Sequence, residues 1–179
     1  MWLKILLGLA AILIIFIIVV ATRPSTFRVE RSALVSAPPE AVFAEVNDFH
    51  RWEAWNPWGK LDPAMKQSYE GPAAGAGAKY AWVGNNNVGE GSMTILESKP
   101  NDLVRIQLDF LKPFAGTSLS EFTFRPEGAG TKVTWAMSGK NNFIAKVLCL
   151  FMSTDKMIGG QFEKGLADLK SIAEKKSPQ

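Results

Sequence analysis

The stretch NFIAKVLCLFMSTDKMIGGQFEKGLADLKSIAE, residues 142–174, places Ile144, Leu148, Phe151, Ile158, Phe162, Leu166 and Leu169 at spacings of three and four. That is the period of one helical face, so the segment reads as a long amphipathic helix. Asp155 interrupts the apolar stripe once, and Gly159-Gly160 weakens the middle, which implies a bend or a close backbone approach there. A helix of this kind is stable only when its apolar side lies on another apolar surface.

The preceding sequence supplies such a surface. Residues 103–111 alternate, with Val104, Ile106, Leu108 and Phe110 on one face and Arg105, Gln107 and Asp109 on the other. Further strands are predicted at 65–70, 78–83, 88–98, 117–125 and 131–138. The turn signals between them include Gly71-Pro72, Gly84-Asn85-Asn86-Asn87, Pro100-Asn101-Asp102 and Glu127-Gly128-Ala129-Gly130. Phe122 and Phe124 share a face, as do Val133, Trp135 and Met137. The result is an antiparallel meander with one apolar side, hence an α+β class.

Before the meander, residues 26–37 read as a strand and 40–47 as a helix bearing Val42, Phe43 and Val46. Ser36 and Pro38-Pro39 form the helix start. Trp52, Trp55 and Trp58 follow at a spacing of three, which gathers the indoles on one side of a short turn.

Residues 5–22 contain no charged side chain. A helix of that length spans about 27 Å, close to the hydrocarbon thickness of a bilayer. An uncleaved anchor and a signal peptide both fit, and the length favours the anchor. Lys4 and the amino terminus favour an inside N-terminus, whereas Arg23, Arg28 and Arg31 pull the other way. The expected placement is the cell (inner) membrane, single-pass, with the domain on the outer or periplasmic side. The division expected is an anchor over 1–23 and one domain over 24–179.

The net charge is +3 with scattered Lys and Arg, so no basic footprint for nucleic acid is present. Cys149 is the only cysteine and His50 the only histidine, which leaves neither a metal set nor a Ser-His-Asp constellation. No cofactor is expected. His50 reads as a surface or capping residue and Cys149 as a small buried one.

The order strand, short helices, meander and long C-terminal helix is the helix-grip order. The chain resembles the SRPBCC superfamily (START, Bet v 1-like and polyketide-cyclase-like proteins) over roughly residues 26–176. The resemblance rests on ERSALVSAPPEAVFAEVNDFHRWEAWNPW, YEGPAAGAGAKYAWVGN, GEGSMTILESKPNDLVRIQLDF, GTKVTWAMSG and DKMIGGQFEKGLADLKSIAE. It is nearest the polyketide cyclase/dehydrase-like branch with an N-terminal membrane segment. The resemblance implies a curved sheet wrapped around the last helix with a cavity between them. It implies no particular reaction.

The expected cavity lining is Trp55, Trp58, Tyr80, Trp82, Phe110, Trp135, Met137, Phe151 and Asp155. Asp155, where it faces the cavity, is a partly buried carboxylate of raised pKa, and the alternative is that the helix bends at Gly159-Gly160 and Asp155 points to water; Asp155 and Tyr80 are the candidate acids if chemistry occurs. Glu90 reads as pointing outward. The expected partners are an apolar small molecule and, through residues 5–22, a lipid bilayer, with the chain monomeric. Three functions fit: a membrane-tethered binder of a lipid, quinone or polyketide-like compound; a cyclase/aromatase-like enzyme; and a ligand-free membrane interaction module using exposed tryptophans of the 52–58 region.

Overall fold

A computed structural model describes residues 2–176, without the side chain of Phe151. An apolar helix, α1 (Trp2–Ala21), is followed by β1 (Thr26–Val35) and α2 (Pro39–Val46). Two 3-10 turns, Phe49–Ala54 and Gly59–Leu61, come next. The meander is β2 (Lys66–Glu70), β3 (Lys79–Val83), β4 (Glu90–Lys99), β5 (Leu103–Lys112), β6 (Gly116–Glu127) and β7 (Gly130–Lys140). Two helices, α3 (Phe143–Phe151) and α4 (Thr154–Lys176), end the chain.

All seven strands form one antiparallel sheet in the order β1-β7-β6-β5-β4-β3-β2. Period-two alternation puts Val104 and Ile106 of β5, Phe122 and Phe124 of β6, and Val133 and Trp135 of β7 on the inner face, all buried. Phe162, Leu166, Leu169 and Ala173 of α4 close over that face. This is the expected α+β helix-grip architecture.

The C-terminal segment is two helices rather than one. The break falls at Met152-Ser153, ahead of Asp155. Ser153 Oγ accepts the Lys156 N–H at 3.3 Å, and Asp155 sits in the first turn of α4, where a carboxylate suits the positive end of the helix dipole. No break occurs at Gly159-Gly160. Gly159 instead provides a close approach: a Cβ there would lie 2.2 Å from an Arg31 guanidinium nitrogen.

α1 is 20 residues long and apolar enough to cross a bilayer, a test that a signal sequence also passes. Among its described residues only Val20 is buried. Its end is fixed to the domain: Lys146 Nζ reaches the Ala21 carbonyl at 3.4 Å, and Asn141 binds the carbonyls of Pro24 and Ser25.

Candidate functional site

Between the sheet and α4 lies a cavity of about 340 Å³, within the range of small-molecule sites. Its wall comes from four parts of the chain. Trp52, Asn56 and Trp58 descend from the 3-10 region, and Tyr80, Trp82, Met93, Leu108 and Phe110 from β3–β5. Ser120, Trp135 and Met137 come from β6 and β7, and Ile158 and Phe162 from α4. The mouth is framed by Asn86 and Asn87 in the β3–β4 turn, Lys112 at the end of β5 and Pro113 in the β5–β6 turn, all exposed.

Trp135 organises the inner end. Its ring stacks on Phe162 with centroids 4.0 Å apart and on Phe122 at 4.8 Å, and it meets Trp52, Trp55 and Trp58 edge-on. Its Nε1 donates to Ser120 Oγ at 2.9 Å, so the indole nitrogen is satisfied inside the core. Trp82 forms the side near the mouth. Its Nε1 donates to the Val88 carbonyl at 3.1 Å, tying the β3–β4 turn to the wall. The ring comes close to β4 because residue 91 is glycine: a Cβ there would sit 2.7 Å from the indole.

Of the residues expected to line the cavity, the structure brings together Trp58, Tyr80, Trp82, Phe110, Trp135 and Met137. Trp55 is elsewhere. It is fully buried, and its Nε1 donates to the Glu45 carbonyl at 3.1 Å, so it packs α2 against the sheet. Phe151 is the last residue of α3, and its side chain lies outside the described residues.

Asp155 corrects the expectation most sharply. It is largely exposed, on the side of α4 facing β1, and forms a bidentate pair with Arg31 at 2.9 Å. Arg31 also binds Glu163 at 2.7 Å. The guanidinium holds the Asp155 carboxyl below the usual carboxylate range, the opposite of a raised pKa. A carboxyl whose folded pKa is depressed stabilises the fold above its unfolded pKa, and the contribution is lost as pH falls through the folded value. Melting curves of Asp155→Asn are therefore expected to fall below wild type at neutral pH and to merge with it in strong acid. A difference that persists unchanged in strong acid would rule out the ion pair as its cause.

The tryptophans of the 52–58 region are also not an exposed patch. Trp52 and Trp55 are buried, with the Trp52 indole donating to the Val46 carbonyl at 2.9 Å, and Trp58 is half-buried in the cavity wall. His50 stands outside the cavity, bound to Asp48 at 2.9 Å and stacked on Tyr69. Glu90 pairs with Lys112 at 2.7 Å, and Cys149 is half-buried with its Sγ 3.2 Å from Thr154 Oγ1. Among the described residues, no group of His, Cys, Asp and Glu is placed to hold a metal ion. Burial raises the Tyr80 phenol above its ordinary value, so this residue of the cavity wall stays protonated.

Several wall residues were not singled out from the sequence, although its alternation contained them. Met93 shares a face with Gly91 and Ile95, Leu108 with Ile106 and Phe110, and Ser120 with Phe122, while Ile158 and Phe162 lie on the helical stripe. The turn residues Asn86 to Gly89 carry no comparable periodic signal.

The family model for polyketide cyclase / dehydrase and lipid transport matches residues 26–174. Among solved structures, protein CV1439 from Chromobacterium violaceum is similar at 20% identity and a TM-score of 0.59, over 87% of this chain and 100% of that one. The Aha1 dimer from Colwellia psychrerythraea gives 17% identity and 0.56 over 83% and 96%, and Ara h 8.0201 gives 11% and 0.53 over 82% and 99%. At such identities these likenesses establish the fold alone. No curated protein matches the chain. With sheet, covering helix and the cavity between them in place over the matched span, the chain belongs to the polyketide cyclase / dehydrase and lipid transport family, within the SRPBCC superfamily.

Proposed function

We propose that this protein holds an apolar small molecule, a lipid, quinone or polyketide-like compound, in the cavity between the sheet and α4, and that α1 tethers it to a membrane. The observation that carries the reading is the composition of the cavity wall. Aromatic rings and the three methionines Met65, Met93 and Met137 surround a chamber of ligand size, and flexible thioethers adapt to guests of varied shape. The described wall residues offer Tyr80, Ser120 and Asn56 as hydrogen-bonding groups and Lys112 at the rim, but no carboxylate or imidazole. That set supports orienting and holding a guest rather than acid-base chemistry upon it.

The test is photolabelling of the full chain in lipid vesicles with a diazirine-bearing fatty acid, with adducts mapped by peptide mass spectrometry. Adducts on α1 are expected from any bilayer-resident probe and serve as the internal standard. Adducts on Met93, Met137 or Trp82 are expected in addition. A map confined to α1 would refute the binding role.

A further inference from the structure

The strand registers show which edge of the domain the tether reaches. Four residues, 22–25, separate Ala21 from Thr26, a reach of at most about 18 Å, and Asn141 pins two of their carbonyls. Thr26 pairs with Lys140, Gly139 with Ser118, Gly116 with Phe110, Lys112 with Glu90, and Glu90 with Val83. The end of β1 that leaves α1 therefore shares one sheet edge with the β5–β6 turn, the β3–β4 turn and the exit of β7 into α3. The two turns are the ones that frame the cavity mouth.

Apolar side chains stand exposed on this edge. Val83, Leu111 and Phe114 flank the two turns, and α3 presents Ile144 and Leu148 four residues apart on one face, with Phe143 beside them at its start. Lys140 ends β7 at this edge, Lys146 stands on α3 and Arg23 follows the end of α1, a cationic fringe suited to anionic headgroups. A short charged-and-apolar helix against the end of a membrane-length helix is the arrangement of an interfacial segment.

Resting on the tethered-binder reading above, we propose that the Thr26 edge docks on the bilayer that holds α1, with α3 and the β5–β6 turn inserted at the headgroup level. The cavity mouth then opens onto the membrane itself, and an apolar guest enters from lipid without crossing water. The occupant of this face is the anionic lipid surface rather than a protein partner.

The test uses the full chain with Cys149→Ser, reconstituted in phosphatidylcholine/phosphatidylglycerol vesicles. A nitrobenzoxadiazole label is attached at Ile12→Cys, Phe114→Cys, Phe143→Cys or Glu127→Cys, the last at the opposite sheet edge. Brominated phosphatidylcholine is expected to quench Ile12, Phe114 and Phe143 and to spare Glu127. Quenching at Ile12 with Phe114 and Phe143 as bright as Glu127 would overturn the docking while leaving the tether in place. An unquenched Ile12 would overturn the tether and the docking together. As a second measurement, Phe114→Asp with Ile144→Asp replaces two exposed residues outside the cavity lining. It is expected to keep the melting temperature and the α1 photoadducts while cutting cavity adducts roughly tenfold or more. Undiminished cavity adducts would overturn the entry route.

Discussion

Leu108→Trp is expected to abolish guest binding without harming the fold. Leu108 lies near the middle of β5, opposite Met93 on β4 and Ser118 on β6, and its side chain borders the open volume. An indole built there projects into space that no side chain occupies, so overpacking strain is avoided. The lining then gains contacts it lacks, and cavity filling of this kind commonly adds about 0.5–2 kcal/mol of stability. Cavity photoadducts should drop by roughly tenfold or more while the melting temperature holds or rises. Adducts at wild-type level in a well-folded Leu108→Trp protein would mean that the guest resides elsewhere.

Trp135→Ala should produce the largest loss of stability. The substitution removes an indole that is 3% exposed, its stacks on Phe162 and Phe122, and its edge contacts with three tryptophans. It also strips Ser120 of its buried donor. Aromatic-to-alanine changes in a core destabilise by about 3–5 kcal/mol. For a domain of this size each kcal/mol lowers the melting temperature by about 2–4 °C, so a fall of roughly 6–20 °C is expected by thermal circular dichroism. Because the lost ring borders an existing void, the site has little to collapse onto, which favours the upper part of that range. Phe114→Ala, at an exposed position, serves as the matched control and should scarcely move the curve. A shift for Trp135→Ala no larger than the control's would remove this ring from the centre of the core.

Much of this was legible beforehand because burial imposes a period. The alternation of Val104, Ile106, Leu108 and Phe110 fixed both a strand and its inner face, and the spacing of Ile158, Phe162, Leu166 and Leu169 fixed the covering helix. What stayed hidden was set by contacts between residues far apart in the chain. Asp155 looked like a carboxylate in an apolar stripe because nothing local announces Arg31, 124 residues away, as its partner. Trp55 and Trp58 are alike in sequence. They part company only because the chain turns between them, sending one indole to the Glu45 carbonyl and the other to the cavity wall. The helix break did have a local signal, since Ser153-Thr154-Asp155 suits a helix start, but the glycine pair about one turn later competed with it. Gly159 is there to admit a guanidinium, which no single-chain pattern reveals.

The way β1 joins the sheet also has a mechanical consequence. Its ten residues pair with β7 from Thr26↔Lys140 to Val35↔Thr131, and α1 is attached at the Thr26 end. The ladder bonds lie across the strand, so a tug on α1 along the axis of β1 loads them side by side, in shear, instead of peeling them one after another. A pull transmitted through α1 along β1 therefore meets the strongest direction of this sheet.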